Sequence, residues 1–177
     1  HSNLDRVELF LNGKSLGAKP VPANSHVSWK VDYVPGTIEA RGYRNGKLTA
    51  SMKRETTGPG TRIVLHADRE WIAANGEDVV MLDAQLVDAQ NRVVPTADAE
   101  LSFAVSENGA IIGVGNGDPS SHEPDKSTTR RLFNGRCAAI IQATTRPGAM
   151  HIEATSPGLQ PGTIMISSRP STPRASA

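Results

Sequence analysis

Arg6-Val7-Glu8-Leu9-Phe10-Leu11-Asn12-Gly13 is the stretch from which the fold can be read. Val7, Leu9 and Leu11 recur at every second position, the period of a strand with one face on a core. Asn12-Gly13 follows at once. Both residues accept the positive φ of a type I′ turn, so the pair marks a hairpin. The same signal returns at Asn45-Gly46, between the segments 38–43 and 48–52. Val27-Ser28-Trp29-Lys30-Val31-Asp32-Tyr33 alternates without a fault and reads as a strand with Val27, Trp29, Val31 and Tyr33 inward. No segment carries an i, i+3, i+4, i+7 stripe longer than two turns, so no substantial helix is expected.

The charge changes along the chain. Residues 1–58 carry 9 basic and 5 acidic side chains, whereas residues 59–177 carry 10 and 13. Between them lies Thr56-Thr57-Gly58-Pro59-Gly60, a breaker-rich boundary. Beyond it, strands are expected near residues 62–67, 79–88, 101–105, 110–114, 137–144, 151–155 and 163–167. Seven short strands separated by Gly, Pro and Asn turns indicate an immunoglobulin-like sandwich. The expected fold is therefore all-β, two immunoglobulin-like β-sandwich domains in tandem. The domains are placed at residues 1–57 and 58–168, with a disordered tail at 169–177 whose Pro, Ser, Arg and Ala lack apolar spacing.

Several functions are disfavoured by the same residues. A net charge of +1 gives no basic face for nucleic acid, and no apolar run approaches the ~18 residues of a membrane span. The five histidines form no H-x-x-x-H or H-x-H pair, so no metal site is expected. No cofactor is expected either. Gly113-Val114-Gly115-Asn116-Gly117 lacks the third spaced glycine and the following helix of a phosphate loop. Ser121-His122-Glu123 holds the letters of a catalytic triad, but a triad is a spatial arrangement, not an adjacency. Cys137 opens an apolar run and reads as a buried structural thiol. A lone cysteine does not fix the compartment, because many exported bacterial proteins lack disulfides. No catalytic residue is assigned.

The unusual segment is residues 113–134, GVGNGDPSSHEPDKSTTRRLFN, long for a connection inside a compact domain. Its Asn116, Asp118, His122 and Glu123 are side chains that can satisfy sugar hydroxyls. They are equally side chains that cap turns and bond their own backbone. A sugar site also needs a flat ring to stack on the pyranose. Only seven Phe, Trp and Tyr residues exist, and Trp71, between two expected strands, is the candidate platform.

Taken together, the motifs resemble a known arrangement. Ser2-Asn3 with Val7-Glu8-Leu9-Phe10-Leu11-Asn12-Gly13-Lys14-Ser15-Leu16-Gly17, then Pro35-Gly36-Thr37-Ile38-Glu39-Ala40 and Tyr43-x-Asn45-Gly46-Lys47, are similar to the fourth domain of bacterial family 2 glycoside hydrolases. Ala67-Asp68-Arg69, Ala74-Asn75-Gly76-Glu77-Asp78, Val87-Asp88, Val94-Pro95, Gly113-Val114-Gly115-Asn116-Gly117-Asp118-Pro119-x-Ser121-His122-Glu123 and Phe133-Asn134-Gly135 resemble the fifth. The likeness covers residues 2–168. It implies the C-terminal part of a β-galactosidase-like enzyme whose two catalytic glutamates lie in a barrel outside this chain. The implied role is non-catalytic: structural support, with the barrel and the enzyme's other domains as partners. The resemblance further implies a first sandwich without its N-terminal strand, and so an exposed sheet edge open to pairing with another copy. A periplasmic or extracellular bacterial location is the accompanying expectation. The rival readings are a carbohydrate-binding module acting on polysaccharide and a bacterial immunoglobulin-like adhesin module. The absence of an internal repeat counts against the adhesin.

Overall fold

The computed structural model describes residues 1–171. It divides into two compact units between Thr56 and Thr57.

The first unit is a single antiparallel sheet. Its strands are β1 (Arg6–Leu11), β2 (Lys14–Pro20), β3 (Thr37–Arg44) and β4 (Lys47–Glu55), in the order β2-β1-β3-β4. Both hairpins turn where Asn-Gly demands. Asn12 and Gly13 have φ of 50° and 80°, and Asn45 and Gly46 have 51° and 77°, the two successive positive values of a type I′ turn. β2 is exposed throughout and has no apolar alternation to announce it; the turn before it folds it back on β1.

Residues 27–33 depart from expectation, because they form no strand. The alternation survives, with Val27, Trp29 and Val31 half-buried and their neighbours exposed, but no backbone lies alongside to pair with. Tyr33 is 80% exposed and is not a core residue. Side-chain parity decides which face a segment turns inward, whereas a ladder needs a second backbone about 4.8 Å away.

The second unit is a two-sheet, immunoglobulin-like sandwich. It contains β5 (Arg62–Ala67), β6 (Trp71–Ala74), β7 (Val79–Val87), β8 (Glu100–Val105), β9 (Gly109–Gly115), β10 (Thr129–Arg131), β11 (Arg136–Ala143), β12 (Gly148–Thr155) and β13 (Gly162–Pro170). One sheet runs β5-β7-β11-β9 and the other β10-β8-β12-β13-β6. Inward rows face each other across the layers. Val80, Leu82, Ala84 and Leu86 of β7 and Cys137, Ala139, Ile141 and Ala143 of β11 meet Leu101 and Phe103 of β8 and Met150, Ile152 and Ala154 of β12. Cys137 is buried in this core, and burial pushes its thiol up to about 12. Two short strands have no pattern in the sequence: β6, which pairs parallel with β13, and the polar β10. Arg169 and Pro170, read from sequence as the start of the tail, are the last residues of β13 and pair with Ala73 and Ala74. Ser171 follows outside any strand, and residues 172–177 of that reading lie outside the described residues.

A buried carboxylate fastens the start of this unit. Asp88 is fully buried at the turn after β7. Its oxygens accept from the N–H groups of Gly58, Gln90 and Arg92 at 2.9–3.0 Å. They also accept from the Arg92 guanidinium, at 2.9 Å from Nε and 2.7 Å from Nη2. The Arg92 side chain, more than any other partner, holds the carboxyl well below the usual carboxylate range, and the three backbone donors add to this. One side chain thus closes the 88–92 turn and ties Gly58 to it. Asp88→Asn is expected to lower the thermal midpoint at pH 7 by roughly 5 °C. Because the folded pKa is depressed, the ionised group's stabilisation is fully present above about pH 5, where the unfolded residue is already charged, and is lost as pH falls toward the folded value. The gap between wild type and variant in thermal scans should therefore be constant from pH 7 to about 5 and shrink below that. A gap independent of pH down to about 2 would contradict the assignment.

Candidate functional site

The long connection seen in the sequence runs from β9 to β10, residues 116–128, and its organiser is a residue that sequence reasoning passed over. Arg130 is the middle residue of β10 and only 5% exposed. Its Nη1 donates to the Glu123 carbonyl at 3.1 Å and to Asp125 Oδ1 at 3.2 Å. Nη2 donates to Asn116 Oδ1 at 3.2 Å. Nε lies 3.7 Å from Glu123 Oε2, inside ion-pair range but too far for a hydrogen bond. The planar fork of arginine can address several acceptors at once, which a lysine cannot do. No local pattern marks it, because its burial follows from β10 pairing with β8.

The polar side chains of the loop turn toward the loop itself. Asn116 Oδ1 also accepts from the Asp118 N–H at 3.0 Å, while its Nδ2 donates to the Arg131 carbonyl at 3.0 Å. Asp118 Oδ1 accepts from the Ser120 hydroxyl at 2.7 Å and N–H at 2.9 Å, and these bonds, the hydroxyl's first, hold the carboxyl below its usual range. Glu123 accepts from the Ser121 hydroxyl at 3.2 Å and from the Arg131 N–H at 3.2 Å. The loop backbone is stitched to the sandwich by Val114 N–H to the Asp125 carbonyl and Phe103 N–H to the Thr128 carbonyl, both 2.8 Å. His122 is exposed. Asn116, Asp118 and Glu123 thus come together around Arg130.

Trp71 does not join them. It lies on β6, at one edge of the five-stranded sheet, whereas β10 lies at the other edge. Four strand spacings, about 19 Å, separate the two edges. The indole is 47% exposed, with the Arg169 guanidinium 4.6 Å from the ring centroid. A ring face covered by a cation is closed to a sugar, so any stacking on Trp71 would use the other face.

Beside the loop, Gly115, Asn116, Met81, Ile140 and the Asp83–Arg136 ion pair (2.6 Å) line a groove of about 420 Å³ with a mostly apolar floor. Two carboxyls, Glu123 and Asp125, converge here, and they converge on the Arg130 guanidinium. The carboxyls displaced from ordinary values, Glu39, Asp88 and Asp118, are all held low, Glu39 chiefly by the Arg41 side chain. A glycosidase acid needs the opposite displacement. Among the described residues no three His, Cys, Asp or Glu side chains are grouped to hold a metal ion.

Comparison with known proteins fixes the family. Residues 63–165 match the model of the glycoside hydrolase family 2 C-terminal domain 5. The chain belongs to that family. Residues 1–50 match a second model, described as a domain of unknown function, DUF4982. Over 168 residues this family 2 C-terminal region is 38% identical to the β-galactosidase BoGH2A of Bacteroides ovatus, covering 94% of this chain and 20% of that protein. It is 31% identical to a β-glucuronidase of Formosa agariphila, covering 96% of this chain and 17% of that protein. Among solved structures, a family 2 glycosyl hydrolase from Bacteroides cellulosilyticus superposes with a TM-score of 0.89 at 30% identity, over 93% of this chain and 23% of the other. A β-glycosidase from Bacteroides vulgatus gives 0.83 at 31% identity, over 93% and 21%. The region spans about a fifth of the length of these relatives.

Arg130→Met is expected to destabilise the second unit by about 2 kcal/mol in urea unfolding. This is less than the ~3–5 kcal/mol for breaking a fully buried pair, because Asp125 stays solvated. Hydrogen exchange should show the loss first at the amides of Phe103, Val114 and Arg131. Arg130→Lys should not restore those amides, since an ammonium cannot span Asn116, Glu123 and Asp125 together.

Proposed function

We propose that this chain is the non-catalytic C-terminal accessory part of a larger β-galactosidase-like glycoside hydrolase, in which it supports the catalytic barrel and neighbouring domains. The observation that carries the reading is the self-contained hydrogen bonding of the 116–131 cluster around Arg130. Its acids are neutralised by the chain's own arginine and N–H groups and held below their ordinary range where displaced, so they stabilise a shape and do not move protons. The coverage of only a fifth of relatives named β-galactosidase and β-glucuronidase supports placing the chemistry elsewhere in the polypeptide. The rigid loop then acts as a shaped contact surface toward the rest of the enzyme.

Turnover of nitrophenyl β-galactoside by the purified chain should not exceed the buffer rate. Activity that co-purifies through successive columns and resists heating of contaminants would refute the reading. Affinity electrophoresis on galactan, mannan and glucan gels separates the polysaccharide-binding alternative. Mobility is expected to be unchanged. Retardation that Trp71→Ala abolishes would identify the ring's open face as a carbohydrate platform and move the function to binding.

A further inference from the structure

Asn-Gly occurs six times in this chain, at Asn12, Asn45, Asn75, Asn108, Asn116 and Asn134. The dipeptide has a chemistry of its own. The glycine's backbone nitrogen can attack the asparagine's side-chain amide carbon, because no Cβ on the glycine obstructs the approach. The attack needs a side chain free to swing onto that nitrogen, a glycine N–H not already bonded, and access to water. The fold withholds at least one of these from five of the six pairs.

Asn12 is held at both ends of its amide. Its Nδ2 donates to the Pro35 carbonyl at 3.1 Å, and its Oδ1 accepts from the Thr37 N–H at 2.7 Å. Asn75 Oδ1 accepts from the N–H groups of Glu77 and Asp78 at 2.9 and 2.8 Å. Asn108 Nδ2 donates to the Ala149 carbonyl, and the Gly109 N–H donates to the Ser106 carbonyl, both at 3.1 Å. Asn116 is locked between Arg130, the Asp118 N–H and the Arg131 carbonyl. Beside Asn134 the attacking atom is occupied, since Gly135 is buried and its N–H donates to the Ala97 carbonyl at 3.1 Å.

Asn45 keeps all three freedoms. It is exposed at the tip of the β3–β4 hairpin. Among the described residues no hydrogen bond engages its side-chain amide or the Gly46 N–H; its own backbone N–H donates to Asp5 Oδ2 at 2.7 Å. Nothing lies within 4 Å of where a Cβ on Gly46 would stand. Asn12 is the matched comparison. Both sites read Asn-Gly-Lys, and both turns have nearly the same φ values, 50° and 80° against 51° and 77°. The backbone rotation that ring closure requires is therefore common to the two, and the side-chain anchor is what separates them. Giving up two ordinary hydrogen bonds handicaps Asn12 by roughly 30-fold.

We propose that Asn45 is a site of spontaneous deamidation, selected by the fold from six equivalent dipeptides. The Gly46 nitrogen bonds to Asn45 Cγ, the Cγ–Nδ2 bond breaks, and the Gly46 proton leaves with Nδ2 as ammonia. Water then adds to either carbonyl of the resulting cyclic succinimide and reopens it, leaving aspartate or isoaspartate. Either product disturbs this turn. Aspartate sets a new negative charge beside Asp5. Isoaspartate lengthens the main chain by a methylene, which the two-residue type I′ geometry does not accommodate.

The test incubates the 177-residue chain in warm, mildly alkaline buffer, with and without denaturing urea. A glutamyl endopeptidase then places Asn12 and Asn45 in separate peptides, 9–39 and 40–55, and mass spectrometry follows amide-to-acid conversion in each. In the folded chain Asn45 should convert at least about tenfold faster than Asn12, and ahead of the other four sites. In urea, where no anchor survives, the two Asn-Gly-Lys sites should convert at closely similar rates. Equal rates at Asn12 and Asn45 in the folded chain, no conversion at Asn45, or another of the six sites leading would each overturn the proposal. A difference of the same size in urea would overturn it too, since flanking sequence rather than the fold would then be the cause.

Discussion

A β-sheet with one apolar face must have that face covered, and the two units of this protein differ in how they meet the requirement. In the second unit each sheet covers the other. The inward rows of β7 and β11 lie on those of β8 and β12, and Val80, Leu101, Ala139, Ile141, Met150 and Ala154 are completely removed from water. At about 25 cal/mol per Å² of apolar surface, such rows dominate the favourable side of folding. Within the first unit Val27, Trp29 and Val31 lie beside the sheet and remain half-buried. The contrast explains why the buried hydrophobic core of the described residues lies in the second unit.

The polar chemistry follows from that core. A strand interior admits charge only where the charge is answered, and the second unit answers it twice. Asp88 is surrounded by an arginine and three N–H groups, and Arg130 by two carboxylates, a carbonyl and an amide oxygen. Both clusters fasten irregular backbone to the sandwich, one at the entry to the unit and one along the β9–β10 loop. Charges answered in this way fix the shape of the backbone around them.

The outer surfaces carry a further pattern. Four cations lie over aromatic rings: Arg6 on Tyr43, Lys19 on Trp29, Arg41 on Phe10 and Arg169 on Trp71. Each covers one apolar ring face while leaving its own charge in water. Four of the seven aromatic rings are thus capped on one face by a cation of the described residues.

The sequence by itself determined the all-β class, both Asn-Gly hairpins and the burial of Cys137. These are local properties: a period of two, a tolerated positive φ, a run of small apolar side chains. It also marked residues 113–134 as exceptional and gathered Asn116, Asp118 and Glu123 as candidates. Tertiary structure alone decided the rest. β2, β6 and β10 exist because a neighbouring strand supplies hydrogen-bond partners, not because their side chains alternate. Residues 27–33 alternate faultlessly and still form no strand, because no backbone lies beside them. Trp71 and the loop are separated by the strand order of one sheet, and Arg130 takes its place because β10 turns it inward beneath acceptors 5 to 14 residues away in sequence. Parity is written in the chain, whereas pairing depends on which backbone arrives alongside, and only the folded arrangement decides that.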